Sequence, residues 1–425
     1  MAAAFGLADR GFAVKVLESR KHCGGRAFSS EAPNTSRRFD NGHHVMLGCY
    51  RGMRSLLRRL GTEDEFQKDP SLKMAYRFGP DREASLRLSR LPVPIAMPLA
   101  LLRLNIGLGS RLRAFRGMSS VLWGAKKQWT LFDWLRRRGQ EGEPDEVMWR
   151  PLCRAIMNAE PEEVSASDFL ATLREAFLGG AAAAAFWLPT KTWGELLGDP
   201  APRAFEAAGI ALRTSARVTA VQIVGDRVVA IRLGDEEIAV DGEDVVVSAM
   251  PWIALRKVLV AHQDLVAAFG SLRSAPIVTA YFTLATAALP DDGPVVALVG
   301  AQPFHFVLRN PIEPATQFAL LSGGDRSFDG KSVAEIVTIA KAQLQRYYGS
   351  NAAVEAAQVV IRKEQHATFV AAPGSDVMRP APGRLPHGPR NLCVCGDWTA
   401  TGLPSTLEGA VRSAERMLAA LPTHA

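Results

Sequence analysis

The opening stretch, MAAAFGLADRGFAVKVLESRKHCGGRAF, constrains the fold more than any other part of the chain. Ala2 to Arg10 is alanine-rich and reads as a helix, and Gly11 is a residue type that ends one. Phe12 to Leu17 then reads as a short buried strand closed by an acid, Glu18. A helix feeding a strand that ends in a carboxylate is the second half of a βαβ dinucleotide-binding unit. There the acid accepts hydrogen bonds from ribose hydroxyls. The first half, a strand and a G-x-G-x-x-G turn, would lie upstream of Met1, so the unit is expected to be truncated at its first strand and glycine turn.

A chain of 425 residues can bury a large core and is expected to form two or more lobes. Its formal charge of +7 suits an anionic membrane surface or a phosphate-bearing cofactor. Nucleic acid is set aside, because the basic residues are scattered and no zinc-finger or single-strand-binding signature is present. The five cysteines (Cys23, Cys49, Cys153, Cys393 and Cys395) are odd in number and hold no C-x-x-C pair. They support neither a disulfide framework nor a metal site, and a reducing cytoplasm is the expected compartment. No secretory signal is visible at the start.

The most apolar segment is Leu91 to Gly109, LPVPIAMPLALLRLNIGLG. Pro92, Pro94, Pro98 and Arg103 interrupt it and exclude a transmembrane helix. In the following stretch, SRLRAFRGMSSVLWGAKKQW, basic residues alternate with Leu, Phe, Met and Trp. The pair reads as a region that dips into a membrane surface or as the mouth of an apolar tunnel, or more plainly as a buried helix pair with a solvated basic face. From Gly209 several β-branched runs are separated by Gly-Asp turns, and Val245 to Ala249 reads as a buried strand. A further sheet-rich stretch is expected at Ile277 to Leu284, a helix over Ser332 to Tyr348, and a strand at Asn391 to Cys395. After that strand, Ser405-Thr-Leu-Glu408 reads as a capping box opening the last helix. Gly409, Ala410, Ser413 and Ala414 are small enough to admit a flat ligand against its first turns, where uncapped N–H groups meet an electron-rich edge.

The stretches LESRKHCGGRAFSS and CGDWTATGLPSTLEGAVRSA together resemble the flavin-dependent amine oxidase and phytoene desaturase superfamily. FDNGHHVMLGCYRGM, LPTKTWGELLGDPAPRAFEAAGIALR and GDWTATGLPSTLEGA are similar to its squalene-associated branch, the hydroxysqualene dehydroxylases. The resemblance spans nearly the whole chain. It implies an α/β fold: a discontinuous Rossmann-like FAD-binding lobe over 1–62, 205–262 and 385–425, and an α+β substrate and membrane-contact lobe over 63–204 and 263–384. It further implies that Glu18 binds the adenosine ribose, that Gly24, Gly25 and Arg26 contact the diphosphate, and that Val218 offers backbone groups to the adenine. Gly396 and Asp397 would meet the ribityl-phosphate region, and Thr406 and Leu407 the pyrimidine end of the flavin ring.

On that resemblance the expected activity is FAD-dependent reductive dehydroxylation of a C30 isoprenoid, hydroxysqualene, to squalene. The site would be peripheral to the cytoplasmic membrane, with a reductant of the flavin that the sequence does not identify. His43 and His44 are the candidate proton donors to the leaving oxygen; a satisfied structural histidine is the plainer reading of either. A carotenoid- or squalene-type desaturase is the alternative. An amine oxidase is a weaker one, since such enzymes usually place an aromatic residue where Thr406 stands, and none of the five tyrosines follows Tyr348. A lipid-binding protein that has lost its cofactor is the non-enzymatic reading.

Overall fold

The computed structural model describes residues 1–32, 36–89, 91, 96, 99–101, 104, 106–267, 269–287, 289–313 and 316–421, with backbone only at 177 and 178. Ala2–Ala8 is helical and buries Ala3, Ala4, Phe5 and Leu7. Gly11, at φ +84°, turns the chain back into the strand Lys15–Leu17. That strand pairs in parallel with Ala211–Arg213, Val16 opposite Leu212. Val246–Ser248 runs parallel to Leu392–Val394, and Gly383–Arg384 is antiparallel on the outer side. Among the described residues these remain two separate sheets. The first helix packs instead on the last one, Leu407–Ala420. They approach closely at Gly6, where a Cβ would stand 2.2 Å from Leu418 Cδ1 and would force that side chain to move.

The Gly-Asp punctuation after residue 209 produces a three-stranded antiparallel meander, Ala220–Val224, Arg227–Leu233 and Glu236–Ala239. Gly225 and Gly234 take φ of +59° and +65° in the two tight turns, a conformation that suits glycine at hairpins.

The largest sheet has seven strands, ordered Gln358–Phe369, Ser274–Thr283, Gln317–Gly323, Phe306–Arg309, Val295–Leu298, Lys73–Gly79 and Arg82–Arg87. Every neighbouring pair is antiparallel except Val295–Leu298 with Lys73–Gly79. Side-chain alternation divides its faces. Val278, Ala280, Phe282, Phe318 and Leu320 bury against the helix Val333–Tyr348, which Ser332 and Glu335 open with a capping box. Tyr76, Ala297, Phe306 and Leu308 join the opposite and larger core, with Leu101, Trp149 and Trp398. That core continues through Ala96, Ala100, Leu104 and Ile106, the inward part of the apolar segment. Pro92, Pro94, Pro98 and Arg103 lie outside the described residues.

Beyond Gly107 the apolar character turns outward. In the helix Leu108–Ser120, Ser110, Ala114, Gly117 and Ser120 face the core, while Leu108, Leu112 and Phe115 are exposed at helical spacing. Leu122 and Trp123 follow, the latter 81% exposed. Lys127 pairs with Asp376 at 2.9 Å and brings exposed Val377 to the same side. Among the described residues no helix is long and apolar enough to cross a membrane.

Candidate active site

The turn after the first strand is built around its glycines. Gly24 has φ +114°, and a Cβ there would lie 2.6 Å from the carbonyl oxygen of Ala27, so both conformation and space demand glycine. Gly25 follows at φ +61°, and its carbonyl accepts from Arg20. Glu18 sits at the strand end. Its Oε1 accepts from the backbone N–H of Arg20 at 2.8 Å, and its carbonyl oxygen accepts from Ala216 N at 2.8 Å. The second bond holds the turn leading to Val218 beside the acid, so Glu18 and Ala216, far apart in sequence, meet.

Arg26 reaches from this turn across the molecule. It donates to Asp397 in a short ion pair and to the carbonyl of Ala367 at 2.6 Å. Asp397 is buried and also accepts from Ser405. The structure thus pairs Arg26 with Asp397, a contact the sequence did not indicate, and adds Ser405. The expected capping box is corrected: Thr406, not Ser405, caps the last helix, accepting from Gly409 N at 2.9 Å. Ser405 is committed to Asp397, and Glu408 turns away to accept from the N–H groups of Gly52 and Met53.

The loop 396–404 is pinned by a residue that sequence reasoning missed. Buried Arg379 donates to the carbonyls of Trp398, Thr399 and Leu403 and stacks on Phe369. No local motif marks it. Gly396, at φ +145°, donates to Ser413 of the last helix at 2.8 Å, which ties the strand end to that helix. Trp398 is fully buried against Phe269, a packing role.

His43 and His44 follow the hairpin strand Arg38–Asp40. His44 bonds through Nδ1 to the Gly42 carbonyl oxygen at 2.6 Å and sits edge-on to Trp193. His43 lines a cleft of about 230 Å³ with Phe39, Asp40, Tyr281, Leu308 and Ala319. Burial, and then the neighbouring His44, push the His43 imidazole down to about 4. Burial lowers His44 as well, more than its bond to Gly42 raises it, with Arg26 adding to the depression. Both rings are therefore neutral near pH 7. Asp40 moves the other way: burial raises it to about 6 against the bonds it accepts from Ser29 and Trp193. Both bonds fall on Oδ1, at 2.6 and 2.8 Å, which leaves Oδ2 as the atom able to carry a proton. Tyr281, on the long strand Ser274–Thr283, donates to the Asp40 carbonyl and sits beside His43. Asp40 and Tyr281 were not foreseen. Asp40 stands inside the DNGHH stretch, but its burial is set by residues 29 and 193, far away in sequence.

A family model described as flavin containing amine oxidoreductase matches residues 1–419. The chain is 28% identical over 433 residues to the hydroxysqualene dehydroxylase of Sinorhizobium fredii, covering 98% of this chain and 94% of that protein. Identity to the enzyme of the same name in Rhodopseudomonas palustris is 28% over 432 residues, with the same coverage. Among solved structures, an oxidoreductase from Methanosarcina mazei superposes with a TM-score of 0.73 at 14% identity, over 97% of this chain and 96% of that one.

Proposed function

The chain belongs to the family of flavin containing amine oxidoreductases, and from that footing we propose that it removes the hydroxyl group of hydroxysqualene reductively, giving squalene. The observation that carries this reading is similarity to hydroxysqualene dehydroxylases along 98% of the chain. Thr406 adds to it, since a threonine cap offers no aromatic wall for a substrate amine. The residues present fit the FAD that the family carries. Glu18 is a strand-end carboxylate that would hold a ribose, Gly24 and Gly25 form a side-chain-free turn that would admit a diphosphate, and the N–H groups at the start of the helix Leu407–Ala420 would suit an electron-rich ring edge.

Reduced FAD, when bound, supplies hydride to the allylic carbon from which the hydroxyl departs. The rest falls to the chain. Breaking the carbon–oxygen bond leaves positive charge on the allylic carbon, and the oxygen must leave as water, so one proton is needed there. Neutral His43 can orient the leaving oxygen with an N–H hydrogen bond, but it is too weakly basic to store the proton at neutral pH. Asp40 Oδ2 can hold it, and Asp40 shares the cleft with His43. Phe39, Leu308 and Ala319 give the cleft apolar walls for the hydrocarbon, while Arg38, Lys191 and Glu195 line it as well.

The substrate is insoluble in water and would enter from a bilayer. Leu108, Leu112, Phe115, Leu122, Trp123 and Val377 form the exposed apolar surface that would dip into it. The nearby Arg113, Arg116 and Lys126 are exposed and suited to anionic headgroups. Incubating the flavin-loaded, chemically reduced enzyme anaerobically with hydroxysqualene tests the reaction. Squalene is expected; desaturation of squalene or phytoene in air, with hydroxysqualene untouched, would make it a desaturase.

A further inference from the structure

A second cavity, of about 600 Å³, contains none of the residues assigned to the cofactor or the cleft. Its walls carry the side chains of Arg256, Lys257, Arg273, Arg326 and His366 against one carboxylate, Glu163. Two of those four cations, Arg256 and Lys257, have no carboxylate partner among the described residues. Among the described residues Arg256 meets only the carbonyl of Gly270, at 3.2 Å, and Lys257 has no partner. Arg273 reaches Glu163 at 3.4 Å, both exposed, and Arg326 lies 3.7 Å from Asp329. All four cations are exposed, so the field they set up at the concavity is strongest at low ionic strength.

The cavity also has a fixed floor. Ser274 accepts from Arg326 through its carbonyl oxygen at 2.6 Å and bonds His366 Nδ1 through its hydroxyl at 2.8 Å. Two recognition groups are thereby held at set positions by one residue. On one side, the His366 carbonyl accepts from Arg26. On the other, Ser271 contacts Met378 at 3.3 Å, next to the exposed Val377 of the apolar surface.

We propose that this cavity is a phosphate-binding site, taking one or two phosphate groups of a soluble ligand or of an anionic lipid headgroup. Guanidinium forks match the paired oxygens of a phosphate, and a lysine adds a compact charge, so this donor set favours phosphate over a single carboxylate. The volume exceeds that of one inorganic ion and suits a diphosphate. The position beside Val377 makes a headgroup the second source of the same chemistry. The inference is independent of the reaction proposed above.

The test is titration calorimetry of the full chain with inorganic pyrophosphate at low salt, beside sedimentation with vesicles of phosphatidylcholine alone or mixed with phosphatidylglycerol. The variant is Arg256→Gln with Lys257→Gln; Arg273→Gln gives a second reading if the first folds poorly by circular dichroism. The wild type is expected to bind pyrophosphate, and the variant to bind it about tenfold more weakly or worse. If vesicle binding does not change in the variant, the site serves a soluble ligand. If binding to the phosphatidylglycerol vesicles falls in parallel and pyrophosphate releases the protein, it serves a headgroup. Pyrophosphate binding that is absent at millimolar concentration or equal in variant and wild type, together with unchanged vesicle binding, would overturn the site.

Discussion

Asp40 shows how one buried carboxyl can link stability to chemistry. Its folded value of about 6 lies above the ordinary 3.8, so the folded chain holds the proton more tightly than the unfolded chain. The stability this contributes is complete at low pH and is lost as pH rises through about 6. Asp40→Asn keeps an acceptor for Ser29 and Trp193 without the buried charge. At pH 7 it is expected to be more stable than the parent by up to about 3 kcal/mol, and the gap should close below pH 4. Denaturant melts across that range measure it; a gap that widens on acidification contradicts the assignment. If the acid form of Asp40 supplies the proton, the parent's rate should fall about tenfold per pH unit above pH 6, and Asp40→Asn should lose that limb together with most activity. His43→Gln should instead slow the reaction while leaving the limb in place. Arg26 acts through geometry as much as charge, since one guanidinium serves both Asp397 and the carbonyl of Ala367. Arg26→Lys keeps the charge but not the fork, and equilibrium titration should show FAD bound about tenfold more weakly. Unchanged affinity would remove Arg26 from the cofactor site.

At the scale of elements, the helix Leu108–Ser120 separates two kinds of leucine that look alike in the sequence. Leu101 is 1% exposed and belongs to the main core, whereas Leu112 is 56% exposed and Phe115 is 41% exposed. Placing Asp at Leu101 should cost about 3 kcal/mol or more of stability, because a charge would enter packed apolar surroundings. Leu112→Asp with Phe115→Asp should leave the melting transition nearly unchanged and abolish sedimentation with anionic vesicles. Retained vesicle binding by that double variant would mean the surface faces something other than lipid. The alternation of basic and apolar residues in this stretch was readable. Which residues pointed outward was not, because that depends on Gly117 packing against Gln140, where a Cβ would come within 2.3 Å of the amide. The last helix makes a similar point. Its start was legible to within a residue, but Ser405 lost the capping role to Thr406 because Asp397, eight residues earlier, competes for its hydroxyl.

At the scale of the whole molecule, the short motifs near the two ends converge: the Gly24-Gly25-Arg26 turn and the Gly396-Asp397 turn meet through a single ion pair. Their convergence was legible through resemblance, whose motifs carry the spatial relation that spacing alone lacks. The seven-stranded sheet was legible only in fragments. Alternation marks Ile277 to Leu284 as strand, but the order that inserts Ser274–Thr283 between Gln358–Phe369 and Gln317–Gly323 arises from pairings as distant in sequence as Ser274 with Phe369. The same order delivers Tyr281 to His43, so the cleft could not be assembled from local pattern. One apolar core joins Leu101 and Leu104 to Phe306 and Trp398. The central claim is that this fold spends the electrons of a reduced flavin on removing a hydroxyl. Anaerobic single turnover tests it most directly, following flavin absorbance while the extracted lipid is quantified. The account predicts that each reduced flavin reoxidised yields one squalene and consumes one hydroxysqualene. Flavin that stays reduced in the presence of hydroxysqualene and reoxidises only when air is admitted would contradict it.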